Sequence, residues 1–272
     1  NAPLFHMNSM LEARPYVLAE SALRVTQETA YEVAILPWGA TEPHNFHLPY
    51  GTDSIQAEHV AVESARIAWE GGAKAIVLPT IPLGANAQQL STPLTINLNP
   101  STQALVLADI VDSLSHAGIR KLLVLNGHGG NSFKQMIREL QARTDVFLCS
   151  SDWYAILDAH AYFDVPGDHA GELETSMMQH LRPGLVHPLD TAGPGEARVF
   201  GVRALREGWV WAPRDWASVT DDTGVGDPSA ATAEKGAAHF EQTTRALGSF
   251  LIELAKADVA DLYVAASGVS GS

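Results

Sequence analysis

The sequence predicts an α/β domain: a three-layer α/β/α sandwich on a mostly parallel, doubly wound sheet. Two observations carry this. Short apolar runs without polar alternation recur along the first 150 residues, which suits strands covered on both faces. Amphipathic helical stretches separate them, as crossovers between parallel strands require.

The elements follow in order. Glu32–Pro37 reads as a buried strand that ends at Trp38-Gly39. Asp53–Glu70 reads as a helix stopped by Gly71-Gly72. Ala75–Leu78 is a second strand, followed by a long loop rich in Pro, Gly, Asn and Gln. Ser101–His116 is a helix with Ser101 as the candidate N-cap. Lys121–Leu125 is a third strand, Ser132–Thr144 a helix and Val146–Cys149 a fourth strand. Arg182–Thr220, rich in Pro, Gly and Trp, reads as loops and short strands. Ala230–Ala257 reads as a long helix capped near Asp227-Pro228-Ser229. No repeat or linker divides the chain, so residues 1–272 are read as one domain, with 1–25 and 260–272 as a peripheral arm and tail.

Bulk properties exclude several functions. The net charge of −14 leaves nothing to neutralise phosphates, so nucleic acid and anionic membrane surfaces are not expected partners. No apolar stretch reaches the length of a membrane span. Cys149 is the only cysteine, so no intrachain disulfide forms. The first ten residues lack a signal-peptide pattern, and the expected location is the cytoplasm.

Three polar clusters carry the chemistry. The first follows strand one and holds Glu42, His44, His47 and Asp53 within twelve residues. Glu42 and His44 are two apart, so in an extended segment they point the same way. Mixed nitrogen and oxygen donors of this kind suit Zn²⁺, Mn²⁺ or related ions. Read alone, Asp53 also fits a helix cap and the histidines an exposed loop. The second cluster, Asn126-Gly127-His128-Gly129-Gly130-Asn131, follows strand three. It lacks the Gly-Lys-Ser/Thr of a phosphate loop and the glycine spacing of a dinucleotide fingerprint. The third, Asp168-His169-Ala170-Gly171-Glu172-Leu173-Glu174, opens a helix. Glu172 and Glu174 do not share a helical face, so they are expected to have different roles. In open α/β sheets ligands bind beyond the carboxyl ends of the strands, where the first two clusters fall.

Taken together, Trp38-Gly39-Ala40-Thr41-Glu42-Pro43-His44 through Asp53, Asn126 to Asn131, and His169 to Ser176 resemble the signatures of the creatininase (creatinine amidohydrolase) family. Gly224-Val225-Gly226-Asp227-Pro228 and Ala231 to Gly236 resemble its C-terminal segment, so the likeness spans roughly residues 30–240. The resemblance implies an α/β/α fold, two divalent metal ions (Zn or Mn, with Fe also suited) and a homo-oligomer, often a hexamer. It implies Glu42, His44, Asp53 and His128 as metal ligands, with Asp53 the bridge. Creatininase has a Tyr-Glu pair after the matching histidine, and that Glu binds metal; here Gly129 and Gly130 stand in its place. Glu172 is the expected replacement ligand, with Glu174 the second choice. His169 matches a catalytic histidine and Glu174 is expected to assist it; Trp153 matches an aromatic that covers the substrate, with a packed core or interface tryptophan as the alternative reading.

The expected activity is hydrolysis of a C–N bond, other than a peptide bond, in a small and possibly cyclic amide by metal-activated water. The missing Tyr-Glu pair counts against creatinine as the substrate. Two alternatives stay open: hydrolysis of a lactone or sugar-derived ring ketone, and a non-catalytic metal-binding assembly protein.

Overall fold

A computed structural model describes residues 13–265. The four expected strands form one parallel sheet: β1 (Val33–Trp38), β2 (Ala75–Val77), β3 (Lys121–Asn126) and β4 (Phe147–Asp152). Their order is β2-β1-β3-β4. The helices are α1 (Leu23–Glu28), α2 (Thr52–Glu70), α3 (Pro100–His116), α4 (Lys134–Gln141), α5 (Glu172–Leu181), α6 (Arg203–Arg206), α7 (Trp216–Val219) and α8 (Ala233–Lys256).

The strand residues sort by parity onto two cores, because successive side chains leave opposite faces of a sheet. Val33 and Ile35 of β1 join Leu123 and Leu125 of β3 against α2, α5 and α8. Ala34, Leu36 and Trp38 join Leu122 and Val124 against α3 and α4. Both faces are therefore covered, and the three-layer α/β/α expectation is met. Apolar runs are the natural consequence, since neither parity meets water.

After β1 the chain crosses to β2 on one side, and it returns through α3 to β3 on the other. The carboxyl ends of β1 and β3 thus flank the point where the strand order reverses, where a crevice opens. Gly127 makes close packing possible there. A Cβ on it would lie 2.6 Å from the Asp53 carbonyl oxygen, so only glycine lets the end of β3 meet the start of α2.

Several local expectations are corrected. Helix α3 starts at Pro100 after Asn99, so Ser101 is not its cap; proline suits a first helical turn, whose N–H has no partner. Helix α2 starts at Thr52, and Asp53 lies inside its first turn without capping it. Helix α8 starts at Ala233, where the Thr232 hydroxyl accepts the Lys235 N–H; Asp227–Ser229 lie outside it. The segment expected to form short strands, Arg182–Thr220, carries short helical turns and no strand. Within the expected N-terminal arm, Val17 is buried and pairs with Val77 at the sheet edge. The first twelve and last seven residues lie outside the described part. Among the described residues, no helix is long and apolar enough to cross a membrane.

Candidate metal centre

Tertiary structure brings Glu42, His44, Asp53, His128, His169 and Glu174 together. Their donor atoms form three overlapping groups, each within 4.8 Å: Glu42, His44 and His169; Glu42, Asp53 and His128; His44, Asp53 and Glu174. All but Glu174, which keeps slight exposure, are buried. His128 Nδ1 lies 2.7 Å from Glu42 Oε1 and 3.1 Å from Asp53 Oδ2. His44 Nε2 lies 2.9 Å from Asp53 Oδ1 and 3.9 Å from Glu174 Oε2. Donors around one ion at about 2.1 Å stand about 3–3.4 Å apart, so these spacings fit ligands drawn toward shared cations.

Backbone carbonyls fix the imidazoles. A carbonyl only accepts, so the ring nitrogen facing it must donate. His44 Nδ1 meets the Glu42 carbonyl at 3.1 Å, His128 Nε2 meets that of Ala85 at 3.2 Å, and His169 Nε2 meets that of Pro43 at 2.9 Å. Each ring is thereby left with its other nitrogen turned to the carboxylates. A neutral imidazole would oppose a lone pair to anionic oxygens, and only a proton or a cation between them relieves this. The same orienting bonds are typical of metal-ligating histidines.

The electrostatics agree. Burial disfavours charging His44, but the Asp53 carboxylate, with Glu174 and Glu42, outweighs it and raises its pKa to about 10. Burial likewise opposes charging His128, and Glu42 and Asp53 overcome it and hold its pKa well above the ordinary value. Asp53 is pushed up by burial but pulled below the usual carboxylate range by His44 and His128. Burial raises the Glu174 pKa, against the pull of His44 and His169. Three carboxylates in one buried pocket require positive charge.

Two expected site residues lie apart from the cluster. Glu172 does not reach the cluster. Its carboxylate is fully buried, paired with Lys235, and accepts the Val165 N–H at 2.8 Å. Glu174, two residues on, faces His44 and accepts the Ala170 N–H at 2.6 Å. Trp153 takes the core position of its two readings. It is fully buried in the core beside Tyr154 and His239. The aromatic next to the cluster is Trp216, edge-on to the His169 ring at 5.3 Å. His47 of the first motif also turns away and hydrogen-bonds the Thr175 hydroxyl at 2.8 Å.

A cleft of about 1010 Å³ opens over the cluster. Its lining includes His169, Trp216, Gln88, Gln89 and Gly127–Gly130. Gly130 admits no side chain, because a Cβ would collide with the Ala85 carbonyl and the His128 ring. Arg214 pairs with Asp168 at 2.6 Å and lies over the Trp216 ring. Gln89 and Trp216 were not singled out in the sequence. The only signal for Gln89 was its place in a polar loop after a strand, and nothing local marked Trp216.

The profile of the creatininase family, described as creatinine amidohydrolase, matches residues 21–251. The chain belongs to the creatininase family. This family of hydrolases includes relatives with different named activities. A mycofactocin precursor peptide peptidase from Mycobacterium ulcerans (strain Agy99) is 28% identical over 253 residues, covering 87% of this chain and 92% of that protein. A creatinine amidohydrolase from Pseudomonas putida is 30% identical over 203 residues, covering 64% and 75%. A solved structure assigned as a creatinine amidohydrolase, from Bacteroides fragilis NCTC 9343, aligns with TM-score 0.86 at 44% identity and covers 90% of this chain and 98% of its own. A manganese form of creatininase shares the fold, with TM-score 0.72 at 23% identity and 89% and 99% coverage.

Proposed function

We propose that this creatininase-family chain is a metal-dependent hydrolase of amide C–N bonds. Glu42, His44, Asp53, His128 and Glu174 would hold a pair of divalent ions, Zn²⁺ or Mn²⁺, with Fe²⁺ also suited to these donors. The observation that carries the reading is the contact pattern of the imidazoles: one ring nitrogen of each faces a backbone carbonyl, and the opposite nitrogen is aimed at buried carboxylates. Asp53 presents Oδ1 towards His44 and Oδ2 towards His128, the disposition of a carboxylate that serves two ions.

When bound, such ions supply a water acidified towards neutrality and polarise a carbonyl. The remaining work falls to the side chains. His169 Nδ1 faces the cluster, 3.9 Å from Glu42 Oε1, placed to carry a proton to the departing nitrogen. The edge-on Trp216 ring shields His169 from water. Glu174, through the Ala170 N–H, ties the start of α5 to the backbone after His169.

A second reading concerns substrate size. The cleft, at about 1010 Å³, is roomier than a small ring amide needs, and Arg198, Arg206, Arg214 and Trp211 line it. That favours a peptide-like amide, in keeping with the peptidase relatives, over the restriction to non-peptide bonds. Exposed Val202 and Trp209 beside it suit burial against a second copy, consistent with a homo-oligomer, and sedimentation measures this directly.

The deciding experiment is elemental analysis of protein purified without chelator, then turnover assays on amides, lactams, short peptides and lactones. The reading expects about two equivalents of metal, with product amine released and chelator abolishing turnover. Folded protein without metal affinity would overturn it, and ring opening of lactones alone would favour the alternative chemistry.

A further inference from the structure

We propose that Gln89 is a positioning residue for this centre: it fixes how Glu42 meets the metal. The inference rests on the metal reading above. Gln89 sits at the end of a 3₁₀ turn, Ala87–Gln89, in the loop after β2, and its side chain is buried. Its Nε2 donates to Glu42 Oε2 at 2.5 Å. Glu42 Oε1 is the oxygen that faces the imidazoles, 2.7 Å from His128 Nδ1 and 3.9 Å from His169 Nδ1. One carboxylate oxygen is therefore held by Gln89 and the other is turned to the centre.

Chemistry sets the amide orientation. A carboxylate oxygen accepts, so the Gln89 NH₂ must face Glu42 and the amide oxygen must point elsewhere. That Oε1 is buried and has no hydrogen-bond partner among the described residues. Leaving a buried acceptor unpaired is unfavourable, so the side chain is poorly placed as a fold-stabilising residue. The strength lies in the bond to the carboxylate, which is charge-assisted and short. The turn is itself anchored: the Gln89 N–H donates to the Asn86 carbonyl at 2.9 Å, and the Gln89 carbonyl accepts the Thr92 N–H at 2.9 Å. A backbone pinned on both sides presents the amide at a set place. Glu42 Oε1 is then the oxygen left free to face His128, where an ion would be held.

The test uses the full chain, stripped of metal and titrated with Mn²⁺ alone. Free Mn²⁺ is read by electron paramagnetic resonance, and thermal unfolding is followed on the metal-free protein. Gln89→Met keeps the length of the side chain and removes the donor; Gln89→Leu repeats the removal with a different shape. Gln88→Met changes a neighbouring cleft residue. Positioning of Glu42 predicts Mn²⁺ binding weaker by about 10–100-fold in both Gln89 variants, a changed spectrum of the bound ion, and little change in metal-free Tm. Gln88→Met should bind as the natural protein does. Unchanged Mn²⁺ affinity and spectrum in either Gln89 variant overturns the proposal, as does a loss seen only with a matching fall in metal-free Tm. Natural protein that is folded yet binds no Mn²⁺ or Zn²⁺ overturns the metal reading itself, and the proposal with it.

Discussion

His44 Nε2 stands 2.9 Å from Asp53 Oδ1, although they are nine positions apart and the start of a helix lies between them. The loop between β1 and α2 doubles back to make this contact. Asn45, in the left-handed region with φ 53°, turns the backbone directly after His44. That turn is held from outside, since the Asn45 N–H donates to the Thr223 hydroxyl and its amide bonds Gly193 on both sides. A local motif is thus completed by residues far along the chain.

If Asp53 serves both ions, Asp53→Asn should remove metal altogether. We expect metal content to fall by more than the about 10–100-fold typical of indirect partners, with hydrolysis lost in parallel. His128→Ala should do the same. Elemental analysis alongside activity checks both.

Glu174 and Glu172 should fail differently. Glu174→Gln removes a charge facing His44, so metal binding should weaken while the fold persists. Glu172→Gln weakens the pair between buried Glu172 and partly exposed Lys235 that ties α8 to the start of α5, so Tm should drop by several degrees with metal affinity retained in the folded fraction. Calorimetric unfolding and metal titration on the two variants separate these outcomes.

Metal loading should release protons. His44 in the metal-free protein holds its proton up to about pH 10, and His128 is also raised. A ligand imidazole must give up that proton, so ions compete with protons and apparent affinity should rise with pH. Isothermal calorimetry in buffers of different ionisation enthalpy would show the release; binding heats independent of buffer would contradict it.

Acid sensitivity should have a contribution remote from the centre. His239 is buried against Trp153, Tyr162 and Phe163, and burial alone pushes its pKa down to about 4. The unfolded chain takes the proton near pH 6.5. Between about pH 6.5 and 4 the unfolded state binds more protons, so stability falls as pH falls, by at most about 1.4 kcal/mol per unit from this group. His239→Phe should flatten that part of the stability profile measured by urea unfolding.

His169 should be separable from metal binding. With Nε2 committed to the Pro43 carbonyl, its Nδ1 is the free proton carrier. His169→Asn should lower kcat by about 10²–10⁴-fold while metal content stays intact.

Much of this was legible locally. Uninterrupted apolar runs such as Val33–Trp38 announce strands covered on both sides, and the parallel sheet follows from the helices between them. The clusters after β1 and β3 fall at the strand-order reversal because chain order and handedness leave few other arrangements. Tertiary structure alone placed Glu174, and not Glu172, beside His44. Residues two apart on a helix diverge by about 200°, so the sequence shows that they part company but not which side meets the centre; packing of α5 against α8 decides that. Trp216 and Gln89 were silent for the same reason. Their neighbours in space, His169 and Glu42, are 47 residues away in each case, and no local period encodes a contact made only when separate loops close over one sheet edge.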